Sequence, residues 1–269
     1  MENKMDINNL ERVEAGQNSF SDRLLRLALD VGEGMLKNGG EIHRVEESIR
    51  RICLAYGAAH VEVFAITSLI VASVRLENGE YSLQMRRVYS SSNNMRLIEG
   101  LNEISRRVCV EVPSLDDFEE MIKDVKRKTK PSFLMQIIAG ILVAGGFSIM
   151  FGGSLPDAAV AAFMGVVVVL LNHLQIKNLD SHVRCVFISF VCGMLTCIAV
   201  HFGIGHDENI IMIGTIMLLI PGLALGSSLQ DMVYGDILAG STRLIQACLT
   251  AVMIAVGFGL AIFVSGVLL

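Results

Sequence analysis

The chain has 269 residues, 52% of them hydrophobic, and its net charge of −5 with a pI near 5.7 provides no basic stripe, which excludes nucleic acid as an expected partner. The mean hydropathy of +0.56 averages two unlike halves, because residues 1–130 hold 40 of the 49 formally charged side chains and the remaining 139 hold nine. The expected organisation is a flexible N-terminus over 1–20, a cytoplasmic α+β domain over 21–130 and a transmembrane domain over 131–269.

The first thirty residues are polar and charged, with no apolar core before a small-residue cleavage site, so no secretory leader is expected. Over 21–37, Leu24, Leu27, Ala28, Val31 and Met35 recur at helical spacing after Ser21, the expected N-cap, and Asn38-Gly39-Gly40 ends the helix. A second helix over about 41–56 aligns Ile42, Val45, Ile49 and Ile52, so the pair reads as an antiparallel helical hairpin. Over 60–89 the period changes to two, and Asn78-Gly79 between two β-prone runs predicts a hairpin with positive φ at both central residues. Those runs predict a three-stranded meander. Helices over about 94–108 and 114–128 follow, the second opening on Ser114 and Asp117 in a loose capping pattern.

Five windows are long and apolar enough to cross a bilayer: 133–152, 158–176, 185–203, 210–227 and 244–268. All nine charges of this half fall at or between their ends. Basic residues precede the first span (126–130), separate the second from the third (Lys177, Arg184) and the fourth from the fifth (Arg243), whereas the other two connections have none. That asymmetry predicts a cytoplasmic N-terminus and an external C-terminus. Recurrent glycines, Gly140, Gly145, Gly165, Gly193 and Gly257 among them, suit close helix packing. The six cysteines form no Cys-x-x-Cys pair and read as small packing residues without a disulfide.

Two places carry candidate chemistry. Glu41-Ile42-His43-Arg44-Val45-Glu46 sets His43 and Glu46 one helical turn apart, able to share a proton; a solvated helix face with Glu41 near the positive helix end explains the same residues. The order is the reverse of the di-metal helix pattern and has no second copy, so neither a metal nor a cofactor is expected. No Gly-x-Ser-x-Gly elbow and no phosphate loop occur, which argues against ATP-driven pumping. The second place is 221–243. Pro221-Gly222 interrupts an apolar segment, a costly break unless it is buried in protein or lines a polar cavity, and Asp231, Gly235, Asp236, Gly240 and Arg243 follow it. Gly235 and Gly240 are expected to let the backbone fold back. Ionisable groups beside an interrupted helix are candidates for holding substrate charge or a coupling proton. Ordinary loop charges would read the same way.

The segment Gly32-Glu33-Gly34-Met35-Leu36-Lys37-Asn38-Gly39-Gly40-Glu41-Ile42-His43-Arg44-Val45-Glu46, taken with Pro221-Gly222, Asp231, Gly235-Asp236, Gly240 and Arg243, resembles the threonine/serine exporter family. The resemblance implies a secondary exporter of the cell membrane, not an enzyme. Single-chain members carry a cytoplasmic domain and two related sets of five spans, and this chain is similar to the first set only, as in the larger, YjjP-type subunit of a two-chain branch. A small five-span YjjB-type partner would then complete the carrier. The cargo implied is threonine and serine for the single-chain form and a dicarboxylate, succinate, for the two-chain form. By topology alone, a second unit would be inverted, which a parallel homodimer cannot supply. The resemblance makes Pro221, Gly222, Asp231, Gly235, Asp236, Gly240 and Arg243 the expected substrate site, with Glu33, Glu41, His43, Arg44 and Glu46 as functional residues of the cytoplasmic domain. A membrane-tethered hydrolase built on that domain and a regulatory or assembly subunit are the competing readings.

Overall fold

The computed structural model describes residues 19–89, 92–129, 132–174 and 181–268. The expectations for 1–18, the Ser90-Ser91 loop, Lys130, Lys177 and Asp180 lie outside those residues. The chain divides into two compact units, one made of Met1–Lys130 with Leu223–Leu244, the other of Pro131–Gly222 with Ile245–Leu269.

In the first unit, α1 (Phe20–Lys37) buries Leu24, Leu25, Leu27, Ala28, Val31 and Met35, and α2 (Ile42–Ala55) buries Ile42, Val45, Ile49 and Ile52. The N-cap of α1 is Ser19, not Ser21. Its hydroxyl accepts the Asp22 N–H at 3.2 Å, while Ser21 is buried inside the first turn. At Gly32 the side chain of Ile49 packs against the bare backbone of α1, since a Cβ there would lie 2.5 Å from Ile49 Cδ1.

Strands β1 (Ala58–Ile66), β2 (Leu69–Leu76) and β3 (Tyr81–Arg87) form an antiparallel meander in sequence order. Alternation puts Val61, Ala65, Ile70, Ala72 and Val74 into the core shared with α1 and α2. The β2–β3 turn departs from expectation: only Gly79 has positive φ (+87°), Gly79 N–H donates to Leu76 O at 3.0 Å, and Leu76 N–H donates to Glu80 O at 2.9 Å. A three-residue loop with a left-handed glycine therefore replaces the two-residue turn, and Asn78 keeps an ordinary backbone. Helices α3 (Met95–Glu111) and α4 (Leu115–Lys128) complete the cover. Ser114 caps α4, accepting the Asp117 N–H at 3.2 Å and donating to Asp117 Oδ2 at 2.7 Å.

The second unit holds α5 (Phe133–Met150), α6 (Leu155–His173), α7 (Ser181–His201), α8 (Glu208–Leu219) and the later part of α10 (Ile237–Leu268). Four of the described helices, α5, α6, α7 and α10, are long and apolar enough to cross a membrane; α8 and α9 (Gly222–Val233) pass only together, as a pair bent by 53° at Ile220-Pro221 that is either a broken span or a re-entrant loop. Small residues face inward. A Cβ on Gly165 would fall 2.2 Å from Gly140 O, and one on Gly257 would fall 2.6 Å from Val186 O, so the α5–α6 and α7–α10 crossings depend on bare backbone. Leu134, Leu142, Phe163, Phe187 and Phe263 face outward, as side chains bathed in lipid do. Asp157, buried at the start of α6, caps with Ser154 and accepts the His206 N–H at 2.6 Å and the Asp207 N–H at 3.2 Å. This closes the connection ahead of α8.

Candidate functional site

The site forms where two chain reversals meet within the first unit. Helix α1 ends at Asn38-Gly39-Gly40, where Gly40 N–H donates to Met35 O at 2.9 Å and Gly39 N–H to Leu36 O at 3.2 Å. Asn38 Nδ2 locks the turn by donating to Gly34 O at 2.7 Å. This paired-bond stop uses up the last carbonyls of α1 and delivers the Gly40 carbonyl and the N-terminus of α2 together. Glu41 occupies the N-cap of α2, but its side chain makes no capping bond.

The cap comes from α9. Asp231 Oδ1 accepts the Ile42 N–H at 3.0 Å. The same stop motif recurs at the end of α9, where Asp236 N–H donates to Asp231 O at 2.9 Å and Gly235 N–H to Met232 O at 3.1 Å. Gly235 there has φ +97°, the left-handed conformation the motif requires. Gly240, expected to be a second point of reversal, is instead helical. A Cβ on it would lie 2.6 Å from Ser228 O and from Met232 Cγ, so its bareness lets the start of α10 lie against α9.

Arg243 then closes the arrangement. Its Nη2 donates to Gly40 O at 3.1 Å, and its Nη1 lies 3.0 Å from Asp231 Oδ2 as an ion pair without hydrogen-bond alignment. Both side chains are buried, Asp231 at 1% and Arg243 at 8% exposure. Around them, the ring of His43 stacks on Tyr234 with centroids 5.4 Å apart, and Glu46 Oε1 accepts the Ala65 N–H at 2.7 Å. Burial pushes the Glu46 carboxyl above its ordinary range and the Asp236 charge adds to the shift; the Ala65 bond and His43 act against it.

Helix α9 is polar inside and apolar outside: Ser228 and Asp231 are buried, whereas Leu223, Leu229 and Val233 are exposed, as are Ile237 and Leu238 just beyond. That is the reverse of a water-facing amphipathic helix.

Of the residues singled out in the sequence, Glu41, His43, Glu46, Asp231, Gly235, Asp236, Gly240 and Arg243 gather in this one region. Glu33 does not; it faces Arg86 at 4.0 Å. Arg44 turns to the groove between α2 and α3. Pro221 and Gly222 mark the break before α9. Sequence reasoning missed Tyr234 and the backbone groups of Gly40 and Ile42. Tyr234 could have been found as an aromatic side chain at the Gly235 turn that ends α9, but backbone groups leave no residue signature.

Four described helices long and apolar enough to cross a membrane, with a bent pair that passes only together, mark a multi-pass membrane protein, and the family its sequence matches makes it a transporter rather than an enzyme. The chain belongs to the threonine/serine exporter family, whose ThrE family model matches residues 26–265. It is 24% identical over 247 residues to a Klebsiella aerogenes protein named "Probable succinate transporter subunit YjjP", covering 90% of this chain and 93% of that one. The protein of the same name in Escherichia coli is 22% identical, with 90% and 94% covered. The "Threonine/serine exporter" of Corynebacterium glutamicum is 21% identical over 253 residues, which take up 91% of this chain but 52% of that one. No solved structure matches the chain.

Proposed function

We propose that this chain is one half of a secondary exporter of small carboxylate-bearing metabolites, either threonine and serine or a dicarboxylate such as succinate. The other half is a separate five-span, YjjB-type membrane protein. The observation that carries the proposal is the Asp231–Arg243 ion pair, buried at 3.0 Å in the segment that follows Pro221-Gly222 in sequence. A guanidinium already facing a carboxylate can exchange that partner for the carboxylate of a cargo, a group common to both cargo classes. Asp236 and Asp231 then serve an ammonium group or a coupling proton. The polar-inside, apolar-outside character of α9 supports a segment bathed in lipid or in a second subunit.

The chain covers almost the whole of the relatives named as subunits and about half of the relative named as an exporter. The proposed setting is the cell's plasma or inner membrane, with the N-terminus cytoplasmic and the C-terminus outside, as the distribution of basic residues directs.

The test is export of labelled threonine, serine and succinate from cells expressing this chain with and without a five-span partner. Export is expected only from the pair, and Arg243→Ala and Asp236→Ala should each abolish it while both proteins remain in the membrane. Export by the chain alone removes the partner from the proposal, and full export by both variants removes the site.

A further inference from the structure

The groove between α2 and α3 holds a second polar site that the transport reading leaves unused. Arg44, Glu47, Ser48 and Arg51 lie on one face of α2, at the spacing of successive helical turns, and Asn102, Ser105 and Arg106 lie on the facing side of α3. They line an open groove of about 110 Å³. Three guanidinium groups against one carboxylate make the lining net positive in a chain whose net charge is −5. Glu47 is taken up by Arg51, 3.4 Å away. Arg44 and Arg106 are exposed and, like Arg50, Arg75, Arg87 and Arg96, have no ion-pair partner among the described residues, so their charges are open to a ligand.

Ser48 and Ser105 are 8% and 6% exposed, and their hydroxyls keep access to solvent through the groove, as does the half-buried Asn102. Exposed guanidinium groups and serine hydroxyls that open on one groove present several donors to the same space, which a small anion can meet at once. Small serines facing one another, where apolar side chains would close the helix contact, leave room for it.

We infer that this groove binds a small oxygen-based dianion, with Arg44 and Arg106 holding its charge from opposite walls and Ser48, Ser105 and Asn102 donating from the floor. A groove of about 110 Å³ has room for inorganic phosphate or a short dicarboxylate. The planar guanidinium fork suits both carboxylate and phosphate. The site lies on the charged, soluble part of the chain and senses an anion independently of the transport reading.

The experiment uses the full chain purified in detergent, titrated with sodium phosphate or sodium succinate against sodium chloride at matched ionic strength, with calorimetry and thermal unfolding as readouts. The melting temperature is expected to climb with the logarithm of dianion concentration beyond the chloride control. Arg44→Ala and Arg106→Ala should each weaken binding about tenfold, the loss of one charge-assisted contact. Arg107→Ala, which removes a residue paired with Glu111 outside the pocket, should bind normally. Asn102→Asp, nearly isosteric, places a carboxylate in the pocket; it should raise the ligand-free melting temperature and erase the response. The inference is overturned if neither dianion outperforms chloride, if the Arg44→Ala, Arg106→Ala double variant still responds, or if Asn102→Asp responds like the parent chain.

Discussion

The carboxylate of Asp231 accepts the backbone N–H of Ile42 at 3.0 Å across 189 positions of sequence. A helix N-terminus has open N–H groups and a partial positive charge, and an ionised side chain from another element meets both needs at once. Glu41, already at the cap position, is thereby left free. Arg243 balances the buried charge and takes the Gly40 carbonyl, so the two sequence motifs are a single hydrogen-bonded unit.

Removing one member of this pair strands the other's charge in a buried place. Arg243→Ala is expected to destabilise the first unit by about 3–5 kcal/mol, whereas Asp231→Asn combined with Arg243→Gln, which removes both charges and keeps a cap acceptor, should cost clearly less. Thermal unfolding of the single and double variants in detergent measures the coupling, and simple additivity would argue against the pairing.

Gly235→Ala forces an L side chain to φ +97° and should cost about 1–2 kcal/mol. Gly235→Asn, better tolerated in that conformation, should fall between alanine and the parent. Equal melting temperatures for all three would mean the end of α9 is not held by this turn.

Glu46 has its carboxyl raised by burial, so the folded chain holds a proton longer than the unfolded chain does. Stability conferred by that proton is complete below the ordinary carboxyl value of 4.5 and is lost as pH rises through the higher folded value. Glu46→Gln keeps an acceptor for the Ala65 N–H and should flatten the fall in melting temperature above pH 4.5. An unchanged pH profile would place the shift elsewhere.

Cys53 is fully buried, and burial pushes its thiol up to about 12 from 9.0. The thiolate fraction at neutral pH falls by roughly a thousandfold, so a maleimide should label Cys53 only after denaturation, read by mass spectrometry. Labelling of the folded chain at the rate of a free thiol would show that this core opens.

The elements legible in the sequence are those whose signals are local. Apolar residues every three or four positions marked α1 and α2, alternation marked the meander, and Ser114 with Asp117 marked the start of α4. Errors came where two local solutions differ little in energy. Ser19 and Ser21 both suit an N-cap, and Asn78-Gly79 suits either a two- or a three-residue loop. Gly240 was misread because a glycine that turns and a glycine that packs look the same until the neighbouring backbone is present.

By itself the sequence determined that this is a membrane chain with a charged leading half, that an apolar segment breaks at Pro221, and that two polar motifs stand far apart. Solvent partition and helix period act over a few residues, so they can be read in order along the chain. Only the tertiary structure decided that the motifs meet, that Asp231 rather than Glu41 caps α2, and that Arg44 turns away into a groove with Arg106. Those outcomes depend on the packing of helices distant in sequence, where a burial cost at one residue is met by a partner that no local pattern names.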